Sequence, residues 1–502
     1  MNLRRLILPS LSTWLWLLFF LGLGLSNWRL VMINADGDPC LHRRIGNWMI
    51  EHRTVVRLEQ FSHTRAGAPL VSKEWLSELL FAAAGNSLGW NGVVLLSAAL
   101  IATCLWLLHR LLLAEGCEVL LATGLVLLAA MACSMHWLAR PHLMTHLLAV
   151  VFLWQLRAFD RGRVSAASLS VTLVPLMTLW VNLHGAFFTG LVLIGVFLAG
   201  DLFADRRKAG TLLAVLAGCL AASLINPNGW RLHAHILEFL RTPVVAKLAN
   251  EFRSPNFHSG GMTGFALQLL VLVILLIAVR PRLGATDILL IGVWGYFALH
   301  AVRNVPIFAL VVTPILAEHL NVFLRDVDGS VVMRLYRRIS GVASAANRQA
   351  GGRLVGAVAV LAMLVVAAKP SLLGGESILA TEIMTNRFPV AAVQFLQTQP
   401  AAVQGEMFND YGWGGYLMLM LPGRQVFIDG RNDFYGAALV SEFKVVDDVR
   451  PGWEAVLGKY NVGWTILPPK HALNRVLALR PDWRVVYTDE TAVVNAKIGV
   501  SR

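Results

Sequence analysis

NADGDPCLHRRIGNWM, residues 34–49, follows directly on an apolar run and opens a long polar stretch. Pro39 suits a first helical position and Asp38 a helix cap, so the spacing predicts a helix starting here. Asp38 and His42 are four apart and share one face of that helix, with Gly46 one turn further on. A helix N-terminus with Asp36, Asp38, Arg43 and Arg44 around it suits phosphate, a metal ion or proton transfer.

On its N-terminal side lies the apolar run 7–28, preceded by Arg4 and Arg5. The run is too long for a signal peptide and lacks a small-x-small cleavage site, so it reads as an uncleaved anchor. Across the 502 residues, 56% are hydrophobic and 15% charged. Soluble domains carry about 25% charged residues, and this balance excludes a soluble enzyme. Crossing a bilayer takes about 20 apolar residues. Candidate spans centre on 7–28, 92–114, 119–138, 143–156, 167–183, 187–204, 210–225, 264–280, 286–300, 305–323 and 353–369, eleven in all. The expected class is a polytopic α-helical membrane protein.

Basic residues in short loops mark the cytoplasmic side. With the N-terminus inside, those loops hold Arg4, Arg5, Arg110, Arg157, Arg161, Arg163, Arg206, Arg207, Lys208, Arg280 and Arg282, then the arginines of 325–353. Short outer loops hold only Arg140 and Arg303. The expectation is a cytoplasmic (inner) membrane protein, N-terminus inside and C-terminus outside. The net charge of +13 is then topogenic, since residues 370–502 carry 12 basic against 13 acidic side chains. A nucleic-acid partner would need a concentrated basic face on a soluble module, and none is visible. Five cysteines without ligand spacing offer neither a disulfide frame nor a metal cluster.

Beyond Lys369-Pro370 the pattern changes. β-rich runs at 406–408, 424–429, 462–467, 483–488 and 491–494 alternate with amphipathic stretches at 389–398, 435–448, 451–460 and 469–480. Alternation of this kind predicts a small, mostly parallel α/β sheet. The division expected is a membrane domain over 1–369, with a long outer loop at 34–90, and an extracytoplasmic α/β domain over 370–502. In FIDGRNDFYG (427–436), Asp429, Arg431 and Asp433 follow a β-rich run, where ligands of parallel sheets sit. The competing reading is a loop whose charges pair with one another. The aromatics of NDYGWGGYL (409–417) suit packing between the domains better than stacking on a sugar.

Ionisable groups at membrane depth are costly and usually functional. Here they gather on the outer side: Asp36, Asp38 and His42, then Arg140 and His142 in HWLARPH, Asn182 and His184 in VNLHG, Asn226 and Asn228 in NPNG, and His300, Arg303 and Asn304. Inner turns show mainly Arg and Lys. The loop 34–90 continues FSHTRAGAPLVSKEWLSELLF (61–81), whose second half is a helix with Glu74 and Glu78 on one face. That pair reads first as a solvated helix face.

This stretch resembles the GT-C superfamily of integral-membrane glycosyltransferases, which use polyprenyl-phosphate sugars and include aminoarabinose transferases and protein O-mannosyltransferases. Asp38, His42, Met49, Gly67, Pro69 and Lys73 stand at the family's motif positions. The segments DGDPCLH, FSHT, EWLSE, RPH, NLHG, NDYGWGGYL and FIDGR also match uncharacterised bacterial membrane proteins of GT-C type. The chain departs from the family at Pro39, where Glu is common, and at Ser72, which is acidic in aminoarabinose transferases.

The resemblance implies sugar transfer at the outer face from a lipid-phosphate donor to a glycan, lipid or protein acceptor. Asp38 would be the base, with Asp36 and His42 beside it. Lys73, Arg44, Arg303 and Arg140 would meet the donor phosphate, and Glu74, His142, His184, Asn182, Asp429 and Arg431 the substrates. A divalent cation, Mg or Mn, would be held by Asp36 and Asp38. The alternative is a non-catalytic GT-C-like receptor or assembly factor for envelope polysaccharide or protein. A transporter fits less well, for want of two similar halves with interrupted helices and of a mid-span acidic residue.

Overall fold

The computed structural model describes residues 6–202, 204–241, 250–327, 330–369 and 381–498. Its N-terminal part is a helical bundle. Helices α1 (Leu11–Leu25) and α2 (Trp28–Asn34) are bent by 67° at a short break. Next comes α3 (Asp38–His52), then the long α4 (Trp75–Ala114). Gly89, with φ 61°, breaks α4, so 75–87 forms an outer arm and the apolar remainder the span. The bundle continues with α5 (Val119–Cys133), α6 (His142–Asp160), α7 (Ala166–Leu183), α8 (Phe188–Asp201), α9 (Arg206–Ala222) and α10 (Trp230–Leu240). It closes with α11 (Thr263–Ile274), α12 (Ala285–His300), α13 (Val305–Asp326), α14 (Val331–Gln349) and α15 (Arg353–Ala368).

Each of the eleven expected apolar stretches falls on helix. Among the described residues six helices are long and apolar enough to cross a membrane, and the bent pair α1–α2 would make a seventh. The helices at 185–201, 285–300 and 353–368 are apolar but shorter. The chain is thus a polytopic membrane protein. Arg4 and Arg5, part of the orientation signal, lie outside the described residues.

The C-terminal part comprises α16 (Val390–Thr398), β1 (Glu406–Asn409), α17 (Gly414–Met420), α18 (Asn432–Asp447), α19 (Trp453–Lys459), β2 (Val462–Leu467), α20 (Ala472–Leu477), β3 (Trp483–Thr488) and β4 (Val493–Lys497). The strand order is β1-β2-β4-β3. Only β1 and β2 run parallel, and both other pairings are antiparallel. The mostly parallel sheet expected from the alternation is therefore a mixed one. Too few residues separate β3 from β4 for a crossover, so they form a hairpin; Asp489 Oδ1 accepts the Thr491 and Ala492 N–H groups and closes it.

The expected strand at 424–429 is also absent. Its only ladder contact is a bridge between Val426 and Ser62 of the outer loop. The Asn409 side chain stands in for a neighbouring strand, accepting from Phe427 N at 2.8 Å and donating to Ile428 O at 2.9 Å. The expected domain boundary falls at residues 369–370, and 370–380 lie outside the described residues.

Two hydrophobic cores form. One fills the helical bundle. The second joins Phe408, Phe427, Phe443 and Trp464 of the C-terminal part to Leu41, Ile45, Met49, Phe61 and Leu70 of the outer loop. Leu41, Ile45 and Met49 form an i, i+4, i+8 stripe on α3. That stripe packs on α17, while the face bearing His42 and Gly46 packs on the outer arm of α4. Helix α3 is the wedge between the two parts.

Candidate functional site

Asp38 is the first residue of α3 rather than its cap, which is Gly37; Asp36 Oδ1 accepts the Asp38 N–H at 3.0 Å. Asp38 packs against Gly430, where a β-carbon would run into its carboxylate. The neighbouring backbone is equally tight, because Gly37 and Gly415 approach too closely for side chains. The NDYGWGGYL segment is thus a packing surface on the N-terminus of α3. Its Trp413 is buried and donates to Arg387 O at 2.9 Å.

Arg140, from the turn before α6, faces three carboxylates. It bonds Asp36, reaches Asp38 Oδ2 at 3.1 Å and lies 3.5 Å from Glu251 Oε2. Arg303 is 3.8 Å from the other oxygen of Glu251, with its guanidinium over Phe252. Burial raises the Asp38 carboxyl above its usual range; Arg140 opposes this, and Asp36 adds to it. Burial also works to raise Glu251, but Arg303 and Arg140 outweigh it and hold that group at about 2. Asp36 and Asp38 therefore already have a cation in Arg140. Two nitrogens of its guanidinium reach the two carboxylates, and no step is routed through a metal there.

A second node lies at the start of α4. Lys73 Nζ donates to Asp433 Oδ2 at 2.5 Å, and His235 Nε2 donates to the same oxygen at 2.8 Å. Burial alone would raise Asp433, but Lys73 and His235 hold it far below the usual carboxylate range. His42 Nδ1 is 3.5 Å from Glu78 Oε1, and His184 Nε2 is 3.3 Å from Glu74 Oε1. The His184 tautomer follows from its partners. The Ala186 N–H donates to His184 Nδ1 at 3.4 Å, so Nδ1 is an acceptor and the Thr145 hydroxyl donates to it at 2.8 Å. Nε2 therefore carries the ring hydrogen, 3.3 Å from Glu74 Oε1.

The structure thus gathers Asp36, Asp38, Arg140, Arg303, His42, Lys73, Glu74 and His184 at one end of the bundle. His142 belongs to the same end, with Nε2 donating to His136 O at 2.6 Å. Asn182 is there as a brace: it accepts from Trp75 Nε1 at 2.7 Å and donates to Thr178 O and Ile225 O.

Others of the expected site residues find partners within the protein. Arg44 lies two residues from His42 and so on another helical face; it is 3.9 Å from Glu51, with its guanidinium over Phe61. Asp429 and Arg431 are buried and bind one another, because Arg431 also clamps Glu59 at 2.7 and 3.0 Å and Tyr435 donates to Asp429 at 2.6 Å. Arg140 is a counter-ion to carboxylates before it is a phosphate ligand.

Asp433 stands out in the sequence with Asp429 and Arg431, but its pairing with Lys73 does not; His235 and Glu251 sit in the long segment 226–262 with no distinguishing pattern. At the far end of the bundle Arg157 and Arg161 pair with Glu115 and Glu318.

No family model matches the sequence, and no curated protein matches it. Solved structures do. The oligosaccharyltransferase AglB from Archaeoglobus fulgidus, in complex with an inhibitory peptide and a dolichol-phosphate, has a TM-score of 0.58 at 13% identity, over 91% of this chain and 69% of that one. ArnT from Cupriavidus metallidurans, bound to undecaprenyl phosphate, has a TM-score of 0.53 at 16% identity, over 97% of this chain and 98% of its own. The Archaeoglobus enzyme in complex with Zn and sulfate reaches 0.52 at 13%, over 91% and 67%. AglB and ArnT are GT-C membrane glycosyltransferases, and this chain has their fold.

Proposed function

We propose that the protein transfers a sugar from a polyprenyl-phosphate donor to an acceptor at the extracytoplasmic face of the cytoplasmic membrane. The observation that carries this reading is that Asp38 pairs with Arg140, that Arg140 and Arg303 share Glu251, and that Lys73 lies within electrostatic reach of Arg303, all at one end of the helical bundle. Solved proteins of this fold hold dolichol-phosphate or undecaprenyl phosphate.

In this reading Asp38 takes the proton of the acceptor hydroxyl as that oxygen attacks the anomeric carbon. Burial makes Asp38 a stronger base than a solvated carboxylate, while Arg140 keeps it ionised and aimed. The departing phosphate gains negative charge, which Lys73 and the half-buried Arg303 offset. Asp433, which holds Lys73 in this structure, is displaced from the ammonium by the donor phosphate. Fixed residues at the bundle end orient the substrates.

Native mass spectrometry of the purified chain tests the reading. A polyprenyl-phosphate sugar is expected to co-purify with wild type and with Asp38→Asn, and to be lost from Lys73→Ala. With that donor identified, Asp38→Asn should lower its consumption by roughly 10²–10⁴-fold, the range for losing a general base. Retention of the same lipid by Lys73→Ala would remove the phosphate role, and full turnover by Asp38→Asn would remove the base.

A further inference from the structure

Two buried carboxylates side by side need a positive charge near them, or a proton between them. Glu78, which is buried, and Glu74, which is half-buried, form such a pair at the start of the arm of α4. The nearest ammonium, Lys73, is engaged by Asp433 at 2.5 Å. His184 Nε2 lies 3.3 Å from Glu74 Oε1, but its Nδ1 accepts from the Ala186 N–H, so the ring is neutral rather than a cation. What faces both carboxylates is the imidazole of His42. One ligand atom from each of His42, Glu74 and Glu78 lies within 4.8 Å of the others, and among the described residues no other His, Cys, Asp or Glu group converges so.

The backbone is built to make this meeting. A β-carbon at Gly46 would run into the Glu78 carbonyl and the Ala82 methyl. Glycine there lets α3 and α4 touch, and His42, one turn earlier on the same face, is brought over Glu78. His184 Nε2 lies 3.3 Å from Glu74 Oε1, within reach of that carboxylate.

We infer that His42, Glu74 and Glu78 form a binding site for a divalent transition cation. One imidazole with two carboxylates suits Mn²⁺ or Zn²⁺ better than Mg²⁺, which favours oxygen ligands throughout. Three protein ligands leave coordination positions for water or an anion oxygen. The site is separate from Asp36 and Asp38, whose cation is Arg140, and it does not rest on the transfer reading, because its test reads the metal and not turnover.

Full-length protein in detergent, stripped with chelator, is titrated with Mn²⁺ and followed by electron paramagnetic resonance. Saturable uptake near one ion per chain is expected, with nitrogen modulation from one imidazole. Glu78→Gln and His42→Gln should each weaken uptake by about tenfold or more, provided they elute as wild type does, and His42→Gln should also erase the nitrogen modulation. Asp36→Asn should bind as wild type. No saturable uptake, or uptake unchanged in both ligand variants, overturns the site. If those variants fail to fold, the wild-type spectrum still decides: bound Mn²⁺ without nitrogen modulation is not held by His42.

Discussion

At the residue scale the site is governed by where each charge finds its partner. Asp433 illustrates this, since Lys73 and His235 share one of its oxygens. Its carboxyl is held well below the ordinary 3.8, while the pull of Asp433 and Glu74 outweighs burial and raises Lys73 above 10.5. A carboxyl depressed in the folded state stabilises above its unfolded value, and that stability is lost as pH falls towards the folded value. A raised lysine stabilises below its unfolded value and loses this as pH rises through the folded one. Asp433→Asn should therefore destabilise the protein by about 1–3 kcal/mol. The gap from wild type should stay level between roughly pH 5 and 9 and narrow only below about pH 4. Thermal unfolding in detergent across that range measures it; a gap that already changes between pH 5 and 7 would mean another group controls it.

Legibility differed among these residues for a physical reason. Asp38, Lys73 and Glu74 sit in or beside one outer loop, where short spacing and helical period carry information. Asp433 and His235 reach Lys73 from 360 and 162 positions further along the chain, and no local pattern encodes such a pairing. Arg140 shows the converse. The residue was picked out, but its three carboxylate neighbours come from elements far apart in sequence, so its role as their counter-ion was invisible.

At the element scale the decisive contact is between α3 and the arm of α4. Gly46 sits mid-helix, where alanine would gain about 1 kcal/mol from propensity. Against this, the added methyl meets a backbone carbonyl that cannot rotate away, and overpacking of this kind costs about 1–3 kcal/mol. The clash should win, because both helices are held on their other faces. Gly46→Ala is expected to lower the melting temperature and to weaken Mn²⁺ uptake through displacement of His42, although it touches no ligand. An alanine variant more stable than wild type would show that the helices slide apart freely.

Elements followed local pattern closely where the partner was adjacent. The runs 462–467 and 483–488 are strands to the residue. The run 424–429 has the composition of a strand and is not one, because its neighbours are the Asn409 side chain and the outer loop rather than another strand of the sheet. The direction of the β3–β4 pair was within reach, since the gap between those runs was too short for a crossover.

At the scale of the whole molecule, hydrophobic packing does not follow the division suggested by composition. Composition separates a membrane part from a C-terminal part near residue 370. The second core ignores that line, since Leu41, Ile45, Met49, Val56, Phe61 and Leu70 of the outer loop are buried with the C-terminal aromatics. The ion pairs follow the same path: Arg431 holds Asp429 of its own segment and Glu59 of the loop. Deleting one partner of a buried pair costs about 3–5 kcal/mol, because the other charge is left uncompensated. Arg431→Ala strands two carboxylates, both fully buried, and should loosen the C-terminal part from the bundle. Limited proteolysis is expected to release it at low protease concentrations that leave wild type intact. By the same reasoning residues 381–502 expressed alone should lack native near-ultraviolet dichroism, since part of their core is left on the other fragment. A fragment that folds alone would show that the outer loop merely rests on a finished domain. A fragment that folds only when a peptide spanning residues 38–70 is added would show that Asp38 is carried on a segment shared by both parts, so that movement of the C-terminal part must move the proposed base.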